Sequence, residues 1–182
     1  MKRISVLKLV IFGILLNLSL LSFANTDNHL QSYKLDSGDK IQIFVFGEED
    51  LTLETRVDNE GKISYPFLNE INVRLLTPRE LEGKIIDGLK GRYLVDPKVN
   101  ITITEYRPFF VNGEVKNPGG YPYQPGLTLR KAVALAGGFT ARAAQNKIEV
   151  VRNNNSSQAT VQESLDAMVL PGDSLTVKQR FF

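Results

Sequence analysis

Hydrophobic residues alternate along residues 41–46, with Ile41, Ile43 and Val45 on one side and Gln42, Phe44 and Phe46 on the other. A period of two predicts a strand. Because two phenylalanines occupy the second side, the strand is either buried on both faces or buried on one and used as an interface on the other. Two more extended segments, residues 51–57 and 62–66, flank Asp58-Asn59-Glu60-Gly61. They are expected to pair across it, with Gly61 supplying the positive φ such a loop needs. Ile71, Val73 and Leu75 alternate briefly. The period then becomes helical: Leu81, Ile85 and Leu89 recur every four residues, and Ile86 widens the stripe. Thr77 is the expected N-cap, Pro78 the first helical residue, and Glu80 stands where it can reach back to the cap N–H. Gly91 is expected to end the helix. Val99, Ile101 and Ile103 then alternate with Asn100, Thr102 and Thr104, a half-buried strand.

The second half has its own rhythm. Residues 109–113 read as a strand, Asn117-Pro118-Gly119-Gly120 as a turn, residues 121–123 as a short aromatic strand, and Pro125-Gly126 as another turn. Thr128 is the expected N-cap of a helix that closes on Gly137-Gly138. Leu129, Ala132, Val133 and Ala136 share one face, and their short side chains let the helix lie close to a sheet. Extended segments follow at residues 141–146 and 148–152. Residues 153–157 read as a polar hairpin tip, with residues 158–161 returning antiparallel. Residues 170–177 echo residues 35–43: each places a Gly-Asp pair, Gly172-Asp173 and Gly38-Asp39, two residues before an apolar one and then alternates. The echo is one turn-and-strand idiom and is too short to indicate duplicated domains.

Composition narrows the classes. Of 182 residues, 23% are charged and 42% hydrophobic, which fits one compact domain or two small ones. The formal charge is +2, but Lys2, Arg3 and Lys8 lie in a basic leader; without them 19 basic residues face 20 acidic ones. No basic cluster emerges, and nucleic acid is not an expected partner. The chain has no cysteine, so neither a disulfide framework nor a thiolate metal site is available. The one histidine, His29, precedes the first strand and reads as a linker residue. Residues 1–8 are basic, residues 9–21 mostly apolar, and Ser22-Phe23-Ala24 places small residues at −3 and −1 of a cleavage site before Asn25. Residues 1–24 are therefore expected to be a secretory signal peptide, with an uncleaved anchor as the alternative. The mature chain would begin with a linker, residues 25–32.

The order of these motifs carries a resemblance. Tyr33, Leu35, Gly38, Asp39 and Ile41, then Asp58, Gly61, Ile63 and Pro66, then Tyr93, Pro97 and Val99 resemble the export domain of bacterial polysaccharide biosynthesis/export proteins. Gly113, Glu114, Val115, Pro118, Gly119 and Tyr121, followed by Thr128, Leu129, Ala136, Gly137 and Gly138, resemble the SLBB (β-grasp) domain of the same family. The implied fold class is α+β, in two small domains: an export-type sheet-plus-helix domain over residues 33–106 and a β-grasp-like SLBB domain over residues 107–182. Tyr106-Arg107-Pro108 is the expected boundary. Larger members usually carry a lipidated cysteine after the signal, a further SLBB domain and a C-terminal amphipathic helix that lines a ring through the outer membrane. Here a short form is expected, held at that membrane through contacts with partners.

The resemblance implies export of an exopolysaccharide or capsule, with the polysaccharide, further copies in a ring, an inner-membrane polysaccharide copolymerase and outer-membrane export components as partners. The expected location is the periplasm, with association at the outer membrane. The alternative is a periplasmic adaptor or glycan-binding protein that forms no conduit. No enzyme activity and no cofactor are expected, because no nucleophile, metal cage or phosphate loop emerges from the motifs. Glycoside hydrolysis would need two carboxylates at a set separation, for which Asp39 with Glu114 is the pair to watch. Glu48-Glu49-Asp50 reads as a solvated acidic loop that could contact a glycan or a cation. Gly38, Asp39, Gly61, Gly113, Pro118, Gly119, Gly137, Gly138, Gly172 and Asp173 are expected to be structural motif residues. Individual glycan-contacting residues are not assigned by these motifs.

Overall fold

Asp39 ends a tight turn and launches strand β1, Lys40–Val45, the middle of a three-stranded antiparallel sheet between Leu53–Arg56 (β2) and Val99–Glu105 (β5). The computed structural model describes residues 33–154 and 157–180. In β1 the side chains of Ile41, Ile43 and Val45 are buried, while Gln42, Phe44 and Phe46 are exposed. The two-faced burial that the phenylalanines allowed is therefore not found; one face is core and the other is open.

Strand β2, Leu53–Arg56, pairs with β1, and β3, Lys62–Tyr65, pairs instead with β4, Asn69–Asn72. The expected pairing of β2 with β3 across residues 58–61 does not form. The Asp58 carboxylate accepts the Glu60 and Lys62 N–H groups, and the Gly61 carbonyl accepts those of Val73 and Arg74. The turn thus swings β3 out of the sheet instead of folding it back onto β2. Leu75 is likewise not extended; its φ is 68°.

Helix α1, Pro78–Leu89, begins as the sequence predicts. Glu80 N–H donates to Thr77 Oγ1 at 3.2 Å and Thr77 N–H donates to Glu80 Oε2 at 2.7 Å, a reciprocal capping box. Leu81, Ile85 and Leu89 are fully buried. Glu82 Oε1 accepts the Ile101 N–H at 2.8 Å, which ties the helix to the outer edge of β5, Val99–Glu105.

The second sheet has five strands in the order β7-β6-β10-β8-β9. They are β6, Phe109–Gly113; β7, Gly119–Tyr121; β8, Ala143–Asn154; β9, Ser157–Glu163; and β10, Ser174–Gln179. Only β6 and β10 run parallel. A helix, α2, Leu129–Leu135, connects the halves of this sheet and buries Leu129, Ala132 and Val133 among Phe109, Val111, Ile148, Val150, Leu175 and Val177. The helix-capped mixed sheet is β-grasp-like, and the whole is α+β. Strand β7 starts two residues earlier than the aromatic pattern predicts, and residues 143–154 form one strand where two were expected. The predicted return is present, but the tip expected over residues 153–157 is shorter, because β8 and β9 pair as far as Asn154 opposite Ser157; residues 155–156 lie outside the described residues.

Gly113 shows what the second sheet demands of its glycines. Its φ is 81°, and a Cβ there would sit 2.2 Å from the Val177 carbonyl oxygen. Only glycine lets β6 leave the ladder this close to β10.

Candidate functional site

The described residues from Lys34 onward make one compact unit, and its three-stranded and five-stranded sheets meet at Arg107. The only buried carboxylates among the described residues, Asp39 and Asp173, close the two Gly-Asp turns on either side of that arginine. The turns are built alike. Asp39 Oδ2 accepts the N–H of Asp36 at 2.9 Å and Asp173 Oδ2 that of Leu170 at 2.8 Å; each aspartate N–H returns a bond to the carbonyl three residues back. Gly38 and Gly172 both have positive φ, 93° and 84°, and both face Arg107. A Cβ on Gly38 would lie 3.3 Å from Arg107 Cβ, and one on Gly172 only 2.7 Å from Arg107 Nε.

The chain after Arg107 is held on both sides. Arg107 donates its backbone N–H to Asp39 Oδ1 at 2.8 Å and its Nη1–H to Asp39 Oδ2 at 3.1 Å. One step on, Gly172 N–H donates to the Pro108 carbonyl and Phe110 N–H to the Asp173 carbonyl. Tyr106 and Tyr123 meet edge-to-face at 5.4 Å. Burial raises the pKa of both phenols. Burial also raises that of Asp173, against the opposing pull of the Leu170 N–H, Arg152 and Arg107. Arg152 Nε stands 3.7 Å from Asp173, an ion pair too long for a hydrogen bond, and that buried N–H has no acceptor among the described residues.

From this joint, the three-stranded sheet and α1 run outward together. β1 leads from Asp39 to Phe46, whose N–H bonds the Lys98 carbonyl at the start of β5. α1 starts beside the joint, where Leu35 bonds Leu75 and Leu76, and ends at the far side. The β3–β4 tip arrives there too: Tyr65 Oη donates to the Leu51 carbonyl at 2.8 Å, its pKa pushed up to about 12 by burial. Three connections, residues 46–52, 66–68 and 90–98, therefore share the end away from Arg107. They carry exposed apolar side chains: Phe46 is 61% exposed, Val95 90%, and Phe67 stacks on Tyr93 at 4.7 Å. Phe67 also has φ 63°, a costly conformation for a bulky residue.

The other anticipated residues are dispersed. Gly61 packs on Arg74, which pairs with Asp36; Gly137 packs on Asn117; Gly138 follows α2; Pro118 is exposed. Gly119 lies at the start of β7 with negative φ and open space around it, so neither backbone conformation nor close packing demands a glycine there. Asp39 accepts from Arg107 and Asp36, while Glu114 accepts the Thr140 hydroxyl at 2.5 Å. Among the described residues, no three histidine or carboxylate side chains converge as metal ligands, and no helix is long and apolar enough to cross a membrane. The sequence placed Arg107 in the expected boundary Tyr106-Arg107-Pro108 but gave it no role; its only other signal was its place between two echoing Gly-Asp motifs.

Comparison with known proteins agrees with this architecture. Residues 27–104 match the family model described as polysaccharide biosynthesis/export protein, and residues 108–161 match the SLBB domain model. The chain thus carries a polysaccharide biosynthesis/export domain followed by one SLBB domain, the domain order its motifs implied. It is similar to the exopolysaccharide production protein ExoF of Rhizobium meliloti (strain 1021), with 35% identity over 114 residues, 58% of this chain and 26% of that protein. It is also similar to the polysialic acid transport protein KpsD of Escherichia coli, with 25% identity over 131 residues, 71% of this chain and 24% of KpsD. The chain thus spans about a quarter of the length of the curated relatives it matches.

Proposed function

We propose that the protein is a non-enzymatic component of the apparatus that moves a polysaccharide across the bacterial envelope. The observation that carries this reading is the export-domain match followed by the SLBB match in one chain, with Arg107 fastening the two sheets. A conduit part needs a fixed relation between its modules more than it needs a reactive centre. The joint supplies that relation, since its carboxylates are engaged in holding the chain. The names of the relatives, exopolysaccharide production and polysialic acid transport, favour the same role. The protein acts in the periplasm through contacts with copies of itself in a ring and with inner-membrane copolymerase and outer-membrane components. It takes no cofactor. Residues 33–106 and 107–182 are its two domains, and the Gly-Asp turns with Gly61, Gly113, Pro118, Gly119, Gly137 and Gly138 are structural.

Deleting the gene tests the reading. Polymer should accumulate in the periplasm while the surface is bare. Unchanged surface polymer overturns it, and altered chain length with intact export assigns the protein to an adaptor role.

A further inference from the structure

The open face of β1 ends in a cleft of about 380 Å³ lined by Phe44, Val45, Gly47, Glu48, Glu49 and Thr52. That volume is within the range of small-molecule sites. Phe44, which lines the cleft, is 42% exposed, and the ring of Phe46, outside the lining and 61% exposed, meets it edge-to-face at 4.8 Å and 82°, so a second open ring surface stands beside the cleft. Thr52 is spent on the backbone of Val45 and Glu48. The carboxylates of Glu48 and Glu49 have no hydrogen-bond or salt-bridge partner among the described residues, whereas the acidic groups further along this face are paired, Glu54 with Lys40 and Glu105 with Arg56. Gly47 has nothing within 4 Å of where a Cβ would stand, so the backbone at the cleft is open to close approach.

We propose that this cleft is a subsite for uncharged sugar units of the transported polymer, an inference that rests on the export reading. A pyranose ring has an apolar C–H face and a rim of hydroxyl donors. Phe44 and Phe46 offer surface to the first, and Glu48 and Glu49, as pure acceptors, take the second. The same unpaired charges repel a uronate or sialate unit. Solvent access on the outer side suits a polymer that must be released after each step.

The test titrates the full chain with three neutral hexaoses (laminarihexaose, cellohexaose and chitohexaose) and with hexagalacturonate, following backbone NMR shifts. The neutral set is expected to bind weakly with shifts centred on residues 44–52, and Phe44→Ala or Phe46→Ala to weaken binding about tenfold, the equivalent of 1.4 kcal/mol. Both rings are exposed, so the melting temperature should hold. The Glu48→Gln/Glu49→Gln variant should narrow the preference for neutral over acidic oligomer. Binding of none of the hexaoses, equal binding of hexagalacturonate by the unaltered protein, or loss of a concentration-dependent dimer in Phe46→Ala overturns the proposal, the last because a second copy then occupies the face. In cells, a deletion strain that still exports refutes the export role itself. A deletion that abolishes export but is fully rescued by Phe44→Ala/Phe46→Ala refutes only the cleft.

Discussion

The two halves are assembled from the same parts and fastened differently. Each has a threonine-capped helix and a Gly-Asp turn that delivers a central strand. In the first half the turn's carboxylate accepts from Arg107, in the chain that opens the second half. In the second half it accepts one backbone N–H, and its guanidinium neighbour, Arg152, stays 3.7 Å away. The first helix has a full capping box; the second has a single long bond, Lys131 N–H to Thr128 Oγ1 at 3.4 Å. Identical local motifs therefore differ in energy because of what the rest of the fold places beside them.

The largest test removes the better fastened carboxylate. Asp39→Ala leaves the Arg107 guanidinium facing a buried gap and should cost about 3–5 kcal/mol. Urea unfolding of Asp39→Ala and Asp173→Ala in parallel would break the comparison if the two losses were equal. Gly38→Ala and Gly172→Ala should each cost about 1–2 kcal/mol for the left-handed backbone. Gly172→Ala should lose more, since its Cβ meets the Arg107 side chain at 2.7 Å, and combining it with Arg107→Ala should recover that excess. Thr77→Ala should cost about 1 kcal/mol and Thr128→Ala less, as read by thermal unfolding.

The smallest effect is at Asp173. Burial raises its folded pKa above the ordinary aspartate value, so the folded protein holds the proton more tightly than the unfolded chain. Its ionisation therefore subtracts stability as the pH rises from the ordinary carboxylate range through the raised value, and the loss stays constant above it. Asp173→Asn can still accept the Leu170 N–H, and its stability relative to the unaltered protein should improve as the pH rises through that window. A difference that moves the other way in denaturation at a series of pH values would mean that Arg152 and Arg107 outweigh burial.

What the sequence determined by itself was local and periodic. Thr77-Pro78 with Glu80, and Leu81, Ile85 and Leu89, define α1 because capping and amphipathicity need only neighbours within a few turns. The alternation in β1 and β5 and the alanine face of α2 were legible for the same reason, and the order of these elements carried the α+β class. Tertiary structure alone decided which strands paired. The turn at residues 58–61 was readable as a turn, but whether β2 joins β3 or β1 depends on partners far along the chain, and here the Gly61 carbonyl is claimed by Val73 and Arg74. It also decided that Phe44 and Phe46 face solvent, since a period of two marks two sides without saying which is covered. Arg107 is the clearest case. Its bonds to Asp39 span 68 residues, and a charge pair closed by folding over that distance leaves no periodic trace in the chain.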